Sequence, residues 1–288
     1  MAVILDGKAL ADRILTDLAK TPCASSPKLL IVSVGDDPAS EVYIRSKVKA
    51  ANRCGVYAVT LKFPNDISGV AFETRIIQEL EVEKYDGVIF QLPVPEHLRA
   101  SVGWRLNCLP DLVDVDGLNT PNRGNWYRNR GQKPCTAIGI MTLLEEYDIP
   151  LDGKDVCIIG RSGLVGRPLS EMMIGRNATV TLCHSHTKNV SKFTKSADIV
   201  VVAVGKPDFL TADMIKPGAV VIDVGINRVG TKIVGDCAAD ICEKAGAYTP
   251  VPGGVGPMTV AMLMSNTYRS YQMRNSSREQ NNCCYGKP

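Results

Sequence analysis

A tyrosine and a lysine stand four residues apart in the segment YIRSK. If the segment is helical, the Tyr43 phenol and the Lys47 ammonium project from the same face. A helix is predicted over about 40–54, because Ser40 suits an N-cap and Gly55 suits a C-terminal stop. The pair by itself is compatible with a catalytic site and with an ordinary solvated surface.

A glycine-rich loop follows the apolar segment VCIIG. Its glycines, Gly160, Gly163 and Gly166, form G-x-x-G-x-x-G, one residue longer than the usual dinucleotide fingerprint. Small residues there let the backbone approach a pyrophosphate at a helix N-terminus, where amide groups and the helix dipole favour negative charge. The same glycines would serve a tight turn, but the order of strand, loop and helix favours a nucleotide site.

The end of the next predicted strand, TVTLCHSHT, is the place where an acidic residue would bind the ribose 2′-hydroxyl of NAD. These positions hold Ser185, His186 and Thr187 instead, and Arg161 lies in the glycine-rich loop. A 2′-phosphate would find hydrogen-bond donors and no repelling carboxylate, which favours NADP over NAD. The alternative is that this segment only caps the following helix, with Ser185 at the N-cap.

Metal ligands are not predicted. His184 and His186 project to opposite sides if the strand continues through them, which makes them poor joint ligands. The ten cysteines include no C-x-x-C pair, and several, such as Cys157 and Cys183, lie in apolar runs. We therefore expect reduced, mostly buried thiols and no metal site.

Apolar segments alternate with helical periodicity along the chain, which predicts parallel sheets. The predicted strands are KLLIVSVG, YAVTLKF, GVIFQLPVP, DVCIIG, ATVTLCHS, ADIVVVAVG and AVVIDVGI. The last four are continuous apolar runs, typical of a parallel sheet covered on both faces. We predict an α/β fold of two domains with a ligand cleft between them. The first domain covers 1–137 with a C-terminal helix at about 258–275, a Rossmann-type nucleotide domain covers 138–257, and 276–288 form a disordered tail.

Composition restricts the class of protein. The 288 residues are 45% hydrophobic and 22% charged, with a formal net charge of +3, which is the balance of a globular protein. No basic run carries interleaved aromatics, which argues against nucleic acid as a partner. No stretch approaches about 20 apolar residues, and the start MAVILDGKAL lacks a basic leader. We expect a cytoplasmic protein that does not associate with membranes.

Nine segments, in their order along the chain, resemble the bifunctional methylenetetrahydrofolate dehydrogenase/cyclohydrolase family. They are YIRSK, QLPVPEHL, DVDG, PCTAIG, GRSGLVGRP, CHSHT, GKP, IDVGIN and TPVPGGVGPMTVAML. Each alone has an ordinary structural explanation, such as a turn for DVDG or a connector for the proline-rich loop. The combination covers nearly the whole chain up to about Asn266 and is highly specific.

This resemblance implies two activities. The first is oxidation of 5,10-methylenetetrahydrofolate by NADP to the 5,10-methenyl cation, and the second is hydrolysis of that cation to 10-formyltetrahydrofolate. It also implies a homodimer. The partners are then tetrahydrofolate one-carbon derivatives and the cofactor NADP.

The family pattern further implies roles for individual side chains. Lys47 is the essential catalytic residue, Tyr43 stacks on the folate, Gln91 contacts Lys47, and Asp116 binds the pterin. The implied substrate-binding residues are Tyr43, Lys47, Gln91, Leu92, Pro93, Asp116, Pro252, Gly253, Gly254, Val255, Gly256 and Thr259. The implied cofactor-binding residues are Thr136, Gly160, Arg161, Ser162, Gly166, Ser185, His186, Thr187 and Ile226.

The implied chemistry fits a lysine. The first step makes a cation, and hydrolysis needs a proton shuttle. Lys47 meets both demands if its site lowers its pKa toward the working pH, with Gln91 orienting the amine. Two positions depart from the family pattern: His186 stands where Lys or Arg is common, which makes the charge there pH-dependent, and Ala137 stands where Pro is usual.

Two other classes of protein share part of this pattern. A shikimate-type dehydrogenase also pairs a lysine-bearing α/β domain with a nucleotide domain, but it does not explain QLP, DVDG and PVPGGVGPMT together. A regulator that binds NADP without turnover has no need of Tyr43, Lys47 and Gln91 together.

Overall fold

The structure is a computed structural model that describes residues 2–128 and 130–284, with side chains described as far as 276. Its strands are β1 (Val3–Ile4), β2 (Lys28–Val34), β3 (Tyr57–Phe63), β4 (Gly87–Phe90), β5 (Asp155–Ile159), β6 (Thr179–Cys183), β7 (Ile199–Val202), β8 (Val220–Asp223), β9 (Asn227–Val229), β10 (Lys232–Val234) and β11 (Ala247–Tyr248). Its helices are α1 (Gly7–Ala19), α2 (Pro38–Cys54), α3 (Gly69–Val82), α4 (Arg99–Cys108), α5 (Thr120–Trp126), α6 (Cys135–Glu146), α7 (Gly166–Ile174), α8 (Ser191–Thr194), α9 (Ile241–Lys244) and α10 (Val255–Cys284).

The chain forms two compact units, each assembled from three stretches of sequence. The six-stranded unit comprises Met1–Arg13, Trp126–Asn129 and Pro134–Met262, and the three-stranded unit comprises Ile14–Asn125, Arg130–Lys133 and Leu263–Pro288. This division differs from the predicted one at the start of the chain, because β1 pairs in parallel with β11. The predicted disordered tail begins within α10, and residues 285–288 lie outside the described residues, so its disorder stays a prediction.

The sheet of the six-stranded unit is parallel throughout, in the order β1-β11-β8-β7-β5-β6. The four apolar runs predicted as strands are confirmed as β5 to β8. All four residues of β7, IVVV, are buried, because helices and loops cover both faces of such a sheet. The chain passes from β5 to β6 on one side and then to β7 on the other. A topological switch point therefore lies at the carboxyl ends of β5 and β7, where doubly wound sheets bind ligands.

The three-stranded unit is built on the parallel sheet β3-β2-β4, which confirms the other three predicted strands. Its hydrophobic core includes Phe72 of α3, whose ring lies 5.0 Å from that of Phe63 and 6.4 Å from that of Phe90. The register places Val32 of β2 beside Phe90 of β4. The residues that follow both strands therefore emerge at the same edge of the sheet.

Two composition-based expectations can be compared with the structure. Cys157 and Cys183 are buried with their sulfurs 3.8 Å apart, which confirms that they behave as small core residues, whereas Cys108 and Cys242 are exposed. Over the helices as far as they are described, none combines the length and apolar character that crossing a bilayer requires.

Candidate active site

Helix α2 carries Tyr43 and Lys47, and its ends are defined by the flanking residues. The carboxylate of Asp37 accepts a hydrogen bond of 2.7 Å from the Ser40 backbone N–H, and Pro38 follows Asp37 at the first helical position. Asp37 is thus the N-cap, and the prediction that Ser40 caps the helix is wrong, because proline is well suited to that first position. Gly55 ends the helix with φ of 78°, as predicted.

Lys47 is held by the residue that follows β4. Its ammonium nitrogen donates to the side-chain oxygen of Gln91 across 2.9 Å. The Gln91 side-chain nitrogen donates to the carbonyl oxygen of Leu92 across 2.8 Å, and its backbone N–H donates to Val32 across 2.7 Å. Gln91 is 8% exposed, so its amide is fixed at both ends and presents its oxygen to the lysine. Lys47 and Gln91 are 44 residues apart in the sequence. They meet because α2 follows β2, Gln91 follows β4, and these two strands are neighbours in the sheet.

Tyr43 lies one helical turn before Lys47 and is half-buried. Burial raises the pKa of its phenol, so the ring stays neutral and apolar near neutral pH. Leu92 and Pro93, which follow Gln91, are exposed. The structure therefore groups a neutral aromatic ring, an ammonium and a fixed amide on one unit, beside an exposed apolar turn.

The two aspartates of DVDG have different surroundings. Asp114 is 0% exposed, and its carboxylate accepts hydrogen bonds from the Asn119 backbone N–H at 2.8 Å and the Asn122 side-chain amide at 2.9 Å. Burial raises the pKa of Asp114 to about 6, against the lowering effect of those hydrogen bonds. Asp116 is half-exposed. Only Asp116 is accessible to a ligand, since the Asp114 carboxylate is buried in the fold.

The Pro/Gly-rich segment TPVPGGVGPMT, 249–259, is predicted to be a loop without regular structure. That prediction is wrong for 255–259, because α10 begins at Val255. A Cβ on Gly254 would lie 2.6 Å from the Pro250 carbonyl oxygen, so only glycine fits the loop there. Further along α10, the Thr259 hydroxyl donates to the Thr136 hydroxyl across 3.1 Å. A residue implied for the folate site and one implied for the cofactor site are thus in direct contact within the six-stranded unit.

The glycine-rich loop after β5 is tightly packed. Gly160 has φ of 120°, and a Cβ on Gly166 would lie 1.8 Å from the Gly160 carbonyl oxygen. The Ser162 hydroxyl accepts a hydrogen bond of 3.1 Å from the Val165 backbone N–H, while Arg161 is exposed. The loop thus presents bare backbone at the N-terminus of α7, which fits the approach of a pyrophosphate.

A turn follows β6 at residues 184–187. The Thr187 backbone N–H donates to the His184 carbonyl oxygen at 2.8 Å, and the Thr187 hydroxyl accepts from the His184 backbone N–H at 3.0 Å. Ser185 and His186 are exposed on this turn. The next helix, α8, begins at Ser191. The alternative in which Ser185 caps that helix is therefore wrong.

The two histidines of this turn lie closer together than expected. Because β6 ends at Cys183, the rings do not project to opposite sides, and their centroids lie 5.9 Å apart. The Nδ1 atom of His184 accepts a hydrogen bond of 3.2 Å from the His186 backbone N–H. Burial, with the nearby Arg161 and His186 charges, lowers the pKa of His184. In the described part of the chain, no group of three or more His, Cys, Asp or Glu side chains is arranged to hold a metal ion.

Two buried carboxylates at the carboxyl edge of the six-stranded sheet escaped the sequence analysis. Asp223 ends β8 and is 5% exposed, and Asp236 follows β10 and is 0% exposed. Ile226, implied for the cofactor site, is 43% exposed. Its two neighbours in the chain are held by these carboxylates: Gly225 donates to Asp223, and Asn227 donates to Asp236. The available signal was an aspartate at the end of an apolar strand, as in VVIDVG, followed by a second aspartate in VGDC.

Comparison with known proteins adds independent findings. The family model described as tetrahydrofolate dehydrogenase/cyclohydrolase, catalytic domain, matches residues 5–116, and the model of the NAD(P)-binding domain of the same family matches residues 134–275. The bifunctional protein FolD of Aquifex aeolicus is 45% identical over 284 residues, which cover 95% of this chain and 97% of the relative.

Two solved structures extend the similarity to the fold. The bifunctional enzyme FolD of Campylobacter jejuni, a methylenetetrahydrofolate dehydrogenase/cyclohydrolase, has a TM-score of 0.90 and 39% identity and covers 95% of this chain and 100% of its own. The Trypanosoma brucei dehydrogenase-cyclohydrolase, complexed with NADP and an inhibitor, has a TM-score of 0.89 and 33% identity and covers 95% of this chain and 98% of its own.

Proposed function

The chain belongs to the tetrahydrofolate dehydrogenase/cyclohydrolase family, and from this premise we propose that it carries out both reactions of a bifunctional one-carbon enzyme. It oxidises 5,10-methylenetetrahydrofolate with NADP to the 5,10-methenyl form, and it hydrolyses that form to 10-formyltetrahydrofolate. The names of its relatives support both activities. Family membership replaces the shikimate-type alternative.

The observation that carries the proposal is the contact between Lys47 and Gln91 at 2.9 Å. A lysine on a solvated helix face would point into water, whereas this one donates to a buried amide whose orientation is fixed by its second hydrogen bond, to Leu92. An oriented amine beside the substrate can accept and return a proton. A binding protein without turnover would not require that orientation.

The folate side of the site is proposed to lie around α2 and the segments that follow β4. Tyr43 offers a neutral ring for stacking, with Leu92 and Pro93 as adjacent apolar contacts. Asp116 accepts hydrogen bonds from the pterin, because the carboxylate of Asp114 is 0% exposed and its Oδ2 atom accepts from Asn119 and Asn122. Residues Pro252 to Gly256 and Thr259 complete the proposed substrate contacts.

The cofactor side is proposed to lie at the carboxyl edge of the six-stranded sheet. When bound, NADP supplies the acceptor for the hydride that leaves the folate methylene. Gly160 and Gly166 hold bare backbone where a pyrophosphate would lie, and Arg161, Ser185, His186 and Thr187 supply donors for a 2′-phosphate. Ser162, Thr136 and Ile226 are the remaining proposed contacts.

Hydrolysis requires a proton to move as bonds change. Water adds to the methenyl carbon and loses one proton, which leaves a hydroxyl group on that carbon. One carbon–nitrogen bond of the ring then breaks: the hydroxyl loses its proton to solvent as the formyl C=O forms, and the leaving nitrogen gains a proton, so that one proton is released overall. Lys47 is positioned to take the proton of the attacking water and to give a proton to the leaving nitrogen, with Gln91 holding the amine in place. This role is assigned to Lys47 alone, and no histidine is needed.

The test is a pair of assays on the purified protein. With methylenetetrahydrofolate and either NADP or NAD, absorbance of the methenyl product should appear, faster with NADP. With methenyl substrate supplied directly, that absorbance should decay faster than in buffer. Absence of product with both nicotinamide cofactors would refute the dehydrogenase, and NADP binding without any turnover would identify a regulator instead.

Two further proposals concern the oligomeric state of the enzyme and its location in the cell. The resemblance implies a homodimer, and we propose that the active form is one, working in the cytoplasm. Light scattering at the concentrations of the assay tests the first, with the mass of one 31.1 kDa chain as the contrary result. Cell fractionation with detection of the protein tests the second.

A further inference from the structure

Asp236 is a buried carboxylate whose two oxygens are both engaged by N–H donors. One oxygen accepts from the backbone N–H groups of Val204 at 2.7 Å and Gly205 at 2.9 Å. The other accepts from the Lys206 backbone N–H at 2.8 Å and the Asn227 side-chain amide at 2.8 Å. Asp236 therefore fixes three consecutive residues after β7 and one residue at the start of β9.

Asp223 holds Asp236 in turn. One of its oxygens accepts from the backbone N–H groups of Gly225 and Asp236, both at 2.9 Å, and the other accepts from that of Cys237 at 2.9 Å. Its own backbone N–H donates to the Thr249 hydroxyl across 2.7 Å. The two carboxylates thus link the loops after β7 and β8, and the Asp223 backbone links them to Thr249, where the Pro/Gly-rich segment begins.

Two glycines make room for these carboxylates. A Cβ on Gly225 would lie 2.2 Å from the Asp236 carboxyl carbon, and a Cβ on Gly235 would lie 1.9 Å from an oxygen of Asp223. Side chains at either position would therefore displace the carboxylates. The pair is also unsuited to a cation, because N–H donors occupy the directions in which a metal ion would bind.

This network lies at the edge of the sheet where a doubly wound fold binds a dinucleotide. In a doubly wound sheet, the loop after the first strand receives the pyrophosphate and the end of the second strand receives the adenosine ribose. Here those places are the loop after β5 and the turn after β6, so the nicotinamide half extends toward β7 and β8. Asp236 holds residues 204–206 and Asn227, and Asp223 holds Gly225, so the loops held by the two aspartates follow β7 and β8.

We propose that Asp236 is a positioning residue for the dehydrogenase reaction, which holds the loops after β7 and β8 in the shape that receives the nicotinamide half of NADP. This inference rests on the proposed use of NADP. It predicts a separation of the two activities, because hydrolysis of supplied methenyl substrate needs no nicotinamide. A residue that only stabilised the fold would lower both activities together.

The test compares Asp236→Asn with Asp208→Asn. The first variant keeps the shape but puts an NH₂ group in the place of one carboxylate oxygen, where it faces the two N–H donors that the oxygen accepts from. The second removes a carboxylate from an exposed position of the same connection between β7 and β8. For Asp236→Asn, calorimetric titration should show NADP binding weakened by about tenfold or more, the change expected for a lost charged hydrogen bond. Hydrolysis of methenyl substrate should stay within about twofold, and Asp208→Asn should match the wild type in both measurements.

A milder variant covers the case in which Asp236→Asn does not fold. Asn227→Ala removes one donor to Asp236 and leaves the three backbone donors in place. It should weaken NADP binding by a smaller factor, again with hydrolysis retained. NADP affinity equal to wild type in a folded Asp236→Asn protein, or equal loss of hydrolysis and oxidation in both variants, would overturn the inference. Lack of turnover by the wild type would refute the proposed function instead, because the comparison of binding needs no turnover.

Discussion

The Lys47 ammonium nitrogen lies 2.9 Å from the side-chain oxygen of Gln91, and the Gln91 amide nitrogen is bound in turn to the Leu92 carbonyl oxygen. The amide cannot rotate to present its NH₂ group to the lysine without losing that second bond. An amide oxygen stabilises an amine that carries a proton and still allows the proton to be passed on. A carboxylate in the same place would hold the charge on the lysine more firmly.

Lys47→Met should remove the hydrolytic activity on supplied methenyl substrate. Loss of a proton shuttle costs about 100-fold or more in rate, while methionine keeps the length and apolar stem of the side chain. Lys49→Met, at an exposed position two residues along the same helix, is the matched control and should retain activity. Full hydrolysis by Lys47→Met would show that the lysine has another role.

Asp116→Ala should weaken folate binding without altering stability. A charged hydrogen bond to the pterin contributes about 1.5–3 kcal/mol, so the KM for methylenetetrahydrofolate should rise by about tenfold or more. The KM for NADP should not change. Asp66→Ala, which removes an exposed carboxylate from the same unit, serves as the control. Equal folate KM values for the two variants would contradict the assignment of Asp116.

Asp114→Asn should change how stability depends on pH. Burial raises the pKa of Asp114 from the ordinary 3.8 to about 6. Since the pKa is higher in the folded chain, protonation favours folding: the contribution is complete below about pH 4 and is lost as pH rises through about 6. A shift of about two pKa units corresponds to about 3 kcal/mol.

The measurement for this prediction is denaturant unfolding of wild type and Asp114→Asn between pH 4 and 8. The variant should lose less of its free energy of unfolding over that range, because its side chain stays neutral and can still accept from Asn119 and Asn122. Asp66→Asn should follow the wild type. The same pH slope in all three proteins would mean that Asp114 does not titrate in this range.

Arg161→Ala should reduce the preference for NADP over NAD. The arginine is exposed in the glycine-rich loop and is proposed to bind the 2′-phosphate, which NAD lacks. The KM for NADP should rise about tenfold, and the KM for NAD should stay the same. Arg176→Ala removes an exposed arginine just after α7 and should change neither value. A parallel rise in both KM values for Arg161→Ala would place the arginine at the pyrophosphate.

Gly166→Ala should disrupt the nucleotide loop. The new Cβ would lie 1.8 Å from the Gly160 carbonyl oxygen, and backbone cannot give way as a flexible side chain can. We expect destabilisation of about 1–3 kcal/mol in thermal or denaturant unfolding and weaker NADP binding. Gly175→Ala, at the other end of α7, places its Cβ at an ordinary 3.4 Å from the nearest atom and should be tolerated. A stable Gly166→Ala protein with normal NADP binding would contradict the packing described for this loop.

The strands were predictable because seven apolar runs are long and bounded by turn residues. β1, β9, β10 and β11 have two or three residues each, too few to show a period. Helix α4 was not predicted, because it has only weak apolar periodicity and contains Gly103. Short elements of this kind depend on neighbours that are distant in the chain.

The candidate site was predictable to the extent that its residues occur in recognisable segments. The family resemblance implies roles for Lys47 and Gln91 and a contact between them, and the structure shows that contact at 2.9 Å. Asp223 and Asp236 were not predicted as site residues. An aspartate after an apolar strand gives the same sequence pattern whether it faces water or accepts backbone hydrogen bonds. Their partners are N–H groups, which carry no signature in the sequence.

The pairing of Val3 with Ala247 joins residues 244 positions apart. Because β1 is synthesised before β11, its place in the sheet does not exist until the residues between them have been made. Leu5, which follows β1 and is 0% exposed in the folded chain, cannot be buried in this way before then. β1 is thus synthesised before the other five strands of this sheet and can pair only after β11 has been made.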